Sequence, residues 1–205
     1  MIRILMVEDQ YFARLALRTV IDGRADMQIV AETQSGLESL ALYRQHKPDV
    51  VIMDLRLPGM SGFDAIRAIR IEDEAARIVV LSNYDGSEDV HRAIEAGAVA
   101  YLTKDASAEE LVQAIEWAMR GKRYVPPALA QLLEHRHPAD QLTARELEVV
   151  ELLTQGMSNQ DIGATLGIAE KTVRIHMTHI FEKLGVTDRT QAVITAVQRG
   201  LVHWK

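Results

Sequence analysis

Residues 50–62 read VVIMDLRLPGMSG. The β-branched run Val50–Met53 is typical of a buried strand, and the residues near 62–71 have helical periodicity. Further strands are predicted at Ile2–Val7, Met27–Ala31, Ile78–Leu81 and Val99–Leu102, and further helices near 11–21, 36–46, 87–96 and 107–120. Five strands that alternate with five helices predict an α/β domain, in which helices cover both faces of a doubly wound parallel sheet.

Polar residues follow four of the predicted strands. Glu8 and Asp9 follow the first strand, Asp54 the third, Ser82 the fourth and Lys104 the fifth. Because strand-helix-strand crossovers are right-handed, all strands of such a sheet end at the same edge, and these residues are expected to meet in one cleft. A single carboxylate there is often only a helix cap, so the prediction depends on the convergence of the whole group.

The composition of this group predicts phosphoryl chemistry. Three neighbouring carboxylates repel one another, and a hard divalent cation such as Mg²⁺ offsets that repulsion with oxygen ligands. Asp54 is the candidate nucleophile, because a carboxylate is already ionised at pH 7 and needs no general base. Lys104 is expected to hold the phosphoryl oxygens as a point charge, and Ser82 to donate a hydrogen bond to them.

Composition and charge narrow the classes of protein that remain. The chain has 205 residues, 48% hydrophobic and 25% charged, and no cysteine, which excludes a disulfide framework and cysteine-bound zinc. No apolar run is long enough to span a bilayer, so we expect a cytoplasmic protein without a membrane partner. The net charge of -6 argues against indiscriminate coating of nucleic acid, whereas residues 171–205 carry six basic and two acidic side chains. This basic end predicts a local polyanion-binding surface, with a solvated helix face as the alternative.

A boundary is predicted after the fifth helix. The stretch from Gly121 to Asp140 contains three prolines and has the character of a linker, with a short helix over Ala128–Glu134. From Leu142 onward only helical patterns remain. We therefore expect a first domain at 1–120, a linker at 121–140 and a second, all-α domain at 141–205.

The second domain begins with two capped helices. Thr143 and Glu146 form one candidate capping box, and Ser158 and Asp161 form another. Gly156 is expected to end the first of these helices and Gly167 the second. Two short helices joined by a tight turn and followed by a third predict a helix-turn-helix.

The third helix is predicted over Glu170–Leu184 and has two different faces. The buried stripe is formed by Val173, Met177, Ile180 and Leu184. The opposite face and its flank carry Lys171, Arg174, Ile175, Thr178, His179 and Lys183. Arg174 is suited to a guanine edge, Ile175 to a thymine methyl group, and Lys171 and Lys183 to phosphates.

Residues 1–120 resemble the receiver domain of bacterial two-component response regulators. The resemblance is carried by Glu8-Asp9, the run from Met53 to Gly62, Leu81-Ser82 and the run from Tyr101 to Asp105. It implies a flavodoxin-like fold with strand order 2-1-3-4-5 and phosphorylation of Asp54 by a sensor histidine kinase. It also implies that Asp9, Asp54 and the backbone carbonyl of Arg56 hold Mg²⁺, with Glu8 acting through water, and that Ser82 and Tyr101 form a switch.

Residues from Leu142 to about Val197 resemble the LuxR-type helix-turn-helix domain, and the combination resembles the NarL/FixJ subfamily. The matching stretches begin at Leu142, Met157 and Lys171. The resemblance implies that Lys171, Thr172, Arg174, Ile175, Thr178, His179 and Lys183 lie at the DNA interface. It further implies a double-stranded operator with two half-sites, homodimerisation through a last helix near Asp188–Arg199, and RNA polymerase as a further partner. Thr178 stands where Lys or Asn is frequent, and Ala169 offers no capping oxygen.

Three functions are therefore open at this point. The first is a phosphorylation-controlled, DNA-binding transcription regulator that is not a turnover enzyme. The second is a phosphoaspartate hydrolase, which needs a second carboxylate two residues after the nucleophile, where this chain has Arg56. The third is a DNA-binding protein whose first domain serves only for constitutive dimerisation.

Overall fold

The computed structural model describes residues 1–83, 86–134 and 141–202. The chain forms two compact units, made mainly of residues 1–130 and of residues 131–205. Of the predicted linker at 121–140, residues 135–140 lie outside the described part. Among the described helices, none combines the length and the apolar character that a membrane span requires.

The first unit is built on a five-stranded parallel sheet. Its strands are β1 (Ile2–Val7), β2 (Met27–Thr33), β3 (Val50–Met53), β4 (Ile78–Ser82) and β5 (Ala100–Thr103). They lie in the order β2-β1-β3-β4-β5, and all neighbouring strands are parallel. The predicted fold class and strand order are confirmed.

Five helices alternate with these strands. They are α1 (Tyr11–Asp22), α2 (Gly36–His46), α3 (Gly62–Glu72), α4 (Ser87–Ala96) and α5 (Ala108–Met119). Leu17 and Ile21 of α1 and Ile115 of α5 pack against Ile4 and other residues on one face of the sheet. Side chains at successive strand positions point to opposite faces of the sheet. Leu5 and Val51 point to the other face and are also fully buried.

The strands extend further at their carboxyl ends than the apolar pattern predicts. The predicted β2 ends at Ala31, β4 at Leu81 and β5 at Leu102. In the structure Thr33 pairs with Val7, and Ser82 pairs with Thr103. Ladder hydrogen bonds come from the backbone, so polar residues continue a strand as long as a neighbouring strand is present.

The chain after α5 returns to the sheet. Tyr124 forms a bridge with Ala100, since its N–H donates to the Val99 carbonyl and its carbonyl accepts from the Tyr101 N–H, both at 3.0 Å. The ring of Tyr124 packs edge-on against Trp117, with 5.5 Å between the ring centroids. Residues up to 124 thus belong to the first unit, and helix α6 (Pro127–Glu134) follows.

The second unit is all-helical. Its helices are α7 (Ala144–Thr154), α8 (Asn159–Leu166), α9 (Glu170–Leu184) and α10 (Arg189–Gln198). Both predicted capping boxes are present, at Thr143 with Glu146 and at Ser158 with Asp161. Gly167 adopts a left-handed conformation with φ of 67° just after α8, as its role in ending that helix requires. The unit has its own core, formed mainly by Val149, Val150, Leu153, Ile162, Val173, Ile180, Ala192 and Ala196.

Candidate functional site

Three carboxylates meet at the carboxyl edge of the sheet. Glu8 and Asp9 follow β1, and Asp54 follows β3, which pairs directly with β1. One oxygen from each of the three carboxylates lies within 4.8 Å of the other two. Glu8 and Asp54 are only 1% and 3% exposed, and Asp9 is half-buried. The fold therefore brings together acidic residues that are far apart in sequence.

Lys104 supplies a positive charge to this cluster. Its Nζ donates hydrogen bonds to Asp54 Oδ2 at 2.7 Å and to Glu8 Oε1 at 2.8 Å. Burial acts to lower the pKa of Lys104, but the hydrogen bonds to Asp54 and Glu8 outweigh it, so the pKa is raised. The ammonium group is therefore charged at neutral pH and ties the ends of β1, β3 and β5 together.

One oxygen of the cluster, Asp9 Oδ1, is buried and has no hydrogen-bond donor within the described part of the chain. Glu8 Oε2 is also buried and lies 2.8 Å from Lys104 Nζ. Burial raises the pKa of Glu8, and the hydrogen bonds from Lys104 and the Gln10 amide do not outweigh it. Buried oxygens without a donor are costly, and a hard cation that takes oxygen ligands would remove that cost. The donor set therefore fits Mg²⁺.

The turn after β3 fixes the position of Asp54. The backbone N–H of Arg56 donates to Asp54 Oδ1 at 3.1 Å. The N–H of Gly62, the first residue of α3, donates to the Leu55 carbonyl at 2.9 Å. A Cβ atom at position 62 would collide with the carbonyl oxygen of Asp54. A glycine is therefore required for α3 to approach this turn so closely.

The two expected switch residues lie on adjacent strands. Ser82 and Tyr101 are fully buried. The backbone N–H of Lys104 donates to the Ser82 carbonyl at 2.8 Å, which places Ser82 beside the acidic cluster. The resemblance implies that the ring of Tyr101 moves inward, and in this structure the ring already occupies a buried position.

Arg14 belongs to this site, although the sequence patterns did not indicate it. Its Nη1 donates to the backbone carbonyls of Glu8 at 3.0 Å and of Asp9 at 2.7 Å. The sequence offered one indication, which was the position of Arg14 near the start of the helix that follows a pair of acidic residues. Such a signal is weak, because many surface arginines lie near acidic residues.

Helix α9 has the two faces that the sequence predicts, one buried and one exposed. Val173, Met177, Ile180 and Leu184 are buried. Lys171, Arg174, Ile175, Thr178 and His179 are exposed, and Thr172 is half-buried. Ile175 is 50% exposed, so its apolar side chain is available for contact on this face. Ala169 occupies the N-cap position of α9, and its methyl group cannot accept a hydrogen bond from the amides of the first turn.

Arg174 forms an ion pair within its own helix. Its Nη2 donates to Glu170 Oε1 at 2.6 Å, and both side chains are largely exposed. The hydroxyl of Thr178 donates to the Arg174 carbonyl at 3.2 Å. An exposed pair one helical turn apart is weak, so the guanidinium can exchange this partner for another.

Lys183 forms an ion pair with a more deeply buried partner than that of Arg174. Its Nζ donates to Glu146 Oε2 at 2.7 Å, and the Glu146 side chain is only 4% exposed. Burial acts to raise the pKa of Glu146, but the hydrogen bonds from Lys183 and Thr143 outweigh it, so the pKa is lowered. His179 Nδ1 lies 4.0 Å from the other oxygen of this carboxylate. The ion pair competes with the phosphate contact that the sequence suggests for Lys183.

A parallel sheet with an acidic cluster and a lysine at its carboxyl edge, followed by a helix-turn-helix unit, defines the class of response regulators. The family of response regulator receiver domains matches residues 4–116, and the luxR family of bacterial regulatory proteins matches residues 140–196. The chain therefore belongs to the response regulators that join a receiver domain to a LuxR-type DNA-binding domain.

Several relatives match this chain over nearly its whole length. The transcriptional regulatory protein LiaR of Bacillus subtilis is 36% identical over 211 residues, which cover 99% of this chain and 100% of LiaR. The response regulator ChrA of a heme-sensing two-component system is 35% identical, covers 98% of both chains and has a TM-score of 0.58. The structure of a complex of the response regulator RcsB with DNA has a TM-score of 0.71 at 20% identity and covers 96% of this chain and 98% of that chain.

Proposed function

We propose that this protein is a transcription regulator whose DNA binding is controlled by phosphorylation of Asp54, with a sensor histidine kinase as the phosphoryl donor. The observation that carries the proposal is the convergence of Glu8, Asp9 and Asp54 at the edge of the sheet, where Lys104 donates hydrogen bonds to Glu8 and Asp54. Membership of the response-regulator family supports the same function.

The transfer step needs only groups that this site contains or binds. A carboxylate oxygen of Asp54 attacks the phosphorus of the donor phosphohistidine, and an O–P bond forms while the P–N bond breaks. The electron pair of the P–N bond stays on the imidazole nitrogen. Lys104 would neutralise charge on the phosphoryl oxygens, and the Ser82 hydroxyl would donate a hydrogen bond to them.

Mg²⁺ is the proposed cofactor of this step. Asp9, Asp54 and the carbonyl of Arg56 would hold the ion, and Glu8 would act through water. When bound, the cation offsets the charge of the carboxylates and of the incoming phosphoryl group. Asp9 Oδ1 is an oxygen left for it, since it is buried and accepts no hydrogen bond from a described residue.

The proposed DNA interface is the exposed face of α9. Arg174 and Ile175 would contact base edges, Thr172, Thr178 and His179 would lie beside them, and Lys171 would bind phosphate. RcsB, which has the same fold, was solved in complex with DNA. Lys183 lies at the flank of this face, where its ion pair with Glu146 opposes a phosphate contact.

Phosphorylation is proposed to act through the packing of Ser82 and Tyr101. Phosphorylation replaces the Asp54 carboxylate by a larger group that carries about two negative charges, a net gain of about one, and this biases two alternative packings of the neighbouring strands. We propose that the phosphorylated protein is a homodimer on an operator with two half-sites, and that helix α10 contributes to the dimer. RNA polymerase is a further proposed partner, and the bacterial cytoplasm is the proposed place of action.

Labelling with a small phosphodonor tests the site. The full chain is incubated with acetyl phosphate and MgCl₂, and intact-mass spectrometry measures the addition of one phosphoryl group. We expect Asp54→Asn to abolish labelling and Asp105→Asn, which removes an exposed carboxylate next to Lys104, to leave it intact. Labelling that persists in Asp54→Asn would contradict the assignment.

Selection of bound sequences from random duplexes tests the function as a whole. The full-length protein is used with and without acetyl phosphate, at one fixed salt concentration. We expect enrichment of a site with two half-sites and tighter binding after phosphorylation, with an affinity that falls as salt rises. Equal affinity in both states would leave a DNA-binding protein without the proposed switch.

A further inference from the structure

Arg14 holds the acidic turn after β1 through the backbone of that turn. Its Nη1 donates to the carbonyl oxygens of both Glu8 and Asp9, at 3.0 and 2.7 Å. The side chain is half-buried and projects from the start of α1. One guanidinium nitrogen thus ties two consecutive peptide groups to the helix that follows them.

The start of α1, which follows this turn, lacks a side-chain cap. Gln10 occupies the N-cap position of α1, and its side chain makes no capping hydrogen bond to the described residues of the first turn. The backbone N–H of Gln10 donates to Glu8 Oε1 at 2.9 Å and that of Glu8 donates to the Thr33 carbonyl at 3.0 Å, but neither bond satisfies a first-turn amide of the helix. A helix start that lacks a cap is less well fixed, and Arg14 adds a restraint between the helix and the turn.

The hydrogen bonds of Arg14 leave the carboxylate oxygens open. Lys104 donates to carboxylate oxygens, Asp54 Oδ2 and Glu8 Oε1. The two hydrogen bonds of Arg14 described above go to backbone carbonyl oxygens instead. Within the described residues, Asp9 Oδ1 accepts no hydrogen bond although it is buried. Arg14 therefore orients the acidic turn without competing with a cation for its ligand oxygens.

We propose that Arg14 is a positioning residue for the divalent cation, because it fixes the Glu8–Asp9 backbone so that both carboxylates face one ion. The inference rests on the proposed function, in which these residues hold Mg²⁺. Groups that orient metal ligands without touching the metal commonly change metal affinity by about 10–100-fold.

Charge and geometry make opposite predictions for this residue. A nearby guanidinium repels a cation, so removal of the charge alone would tighten Mg²⁺ binding. Loss of the two hydrogen bonds would release the turn and weaken binding. The sign of the change therefore distinguishes a positioning role from a purely electrostatic one.

The test is calorimetric titration of the full chain with MgCl₂ at constant ionic strength. Arg14→Gln removes the charge and the two bonds, and Arg14→Lys keeps the charge but loses the guanidinium geometry. Arg18→Gln is the matched control, because Arg18 lies one turn later on α1 and pairs with the exposed Glu32 at 2.6 Å. We expect the Kd of Arg14→Gln to rise about tenfold, that of Arg14→Lys to rise less, and that of Arg18→Gln to stay unchanged.

Equal or tighter Mg²⁺ binding by Arg14→Gln, compared with Arg18→Gln, overturns the inference. Thermal unfolding without metal shows whether each variant is folded. If Arg14→Gln is unfolded, Arg14→Lys decides, and a Kd equal to that of the unmodified protein then overturns the positioning role. Failure of the unmodified protein to bind Mg²⁺ overturns the proposed function itself, and this inference with it.

Discussion

The ion pair between Lys183 and Glu146 predicts a large effect for Lys183→Met. Glu146 Oε2 accepts hydrogen bonds from Lys183 Nζ and from the Thr143 amide, each at 2.7 Å. The substitution leaves a carboxylate that is 4% exposed with only the amide at this oxygen. A methionine retains the apolar length of the side chain, so the change removes mainly the charge and its hydrogen bond.

The size of the effect follows from burial. Removal of one partner from a buried ion pair costs about 3–5 kcal/mol. The Lys183 side chain is 25% exposed, so water can reach Glu146 in the variant, and we expect about 2–3 kcal/mol. The pKa of Glu146 is lowered from 4.5 by folding, so this stability is present above pH 4.5 and is lost as the pH falls further.

Native-state hydrogen exchange of the full chain, resolved by peptide mass spectrometry, measures this effect. Amides of α7 and α9 should exchange about 30- to 150-fold faster in Lys183→Met, which is the rate equivalent of 2–3 kcal/mol. Lys171→Met, which removes an exposed charge from the same helix, is the control. Equal exchange in the two variants at neutral pH would refute the reasoning.

DNA binding distinguishes the two roles of lysine on this helix. Lys171→Met should reduce the slope of log affinity against log salt by about 0.9, the contribution of one phosphate contact. Lys183→Met should leave the slope unchanged in the folded protein. A reduced slope in Lys183→Met would show that Lys183 exchanges its carboxylate for a phosphate.

Three further substitutions are informative. Gly62→Ala places a methyl group against the Asp54 carbonyl, and we expect the receiver to lose about 2 kcal/mol in thermal unfolding and to be labelled more slowly by acetyl phosphate. Ala169→Ser supplies the missing cap of α9 and should stabilise it by about 1 kcal/mol in urea denaturation. Glu170→Gln releases Arg174 from a pair worth about 0.3–0.5 kcal/mol, so DNA affinity in fluorescence anisotropy should rise about twofold.

For each of these substitutions, one outcome would contradict the prediction. Unchanged unfolding of Gly62→Ala would mean that α3 can move away from the turn at no cost. Ala164→Ser, in an exposed position inside α8, should give no gain, and an equal gain there would remove capping as the cause for Ala169→Ser. Weaker DNA binding of Glu170→Gln would mean that the carboxylate itself contacts the operator.

Elements with local signals could be predicted closely from the sequence. The bounds of β1, β3 and α9 in the structure are those of the apolar patterns, and both capping boxes lie where Thr143 and Ser158 place them. The acidic cluster could also be predicted, because the topology of a parallel sheet brings the ends of its strands together whatever lies between them.

Contacts that depend on tertiary packing could not be predicted. Lys183 has the same character in the sequence as Lys171, and only the docking of α9 against the start of α7 gives it the buried partner Glu146. Arg14 acts on backbone carbonyls, which leave no trace in a pattern of side chains. Side-chain patterns were therefore a good guide to which residues meet at the edge of the sheet, and a poor guide to the contacts that hold those residues in place.

The return of the chain to the sheet at Tyr124 links the segment after α5 to the edge strand. Tyr124 is hydrogen-bonded to the backbone at Val99 and Tyr101, so the chain is still fixed to the sheet five residues after the end of α5. Because these bonds belong to the strand that carries Tyr101, a shift of that strand would displace the segment around Tyr124 together with it.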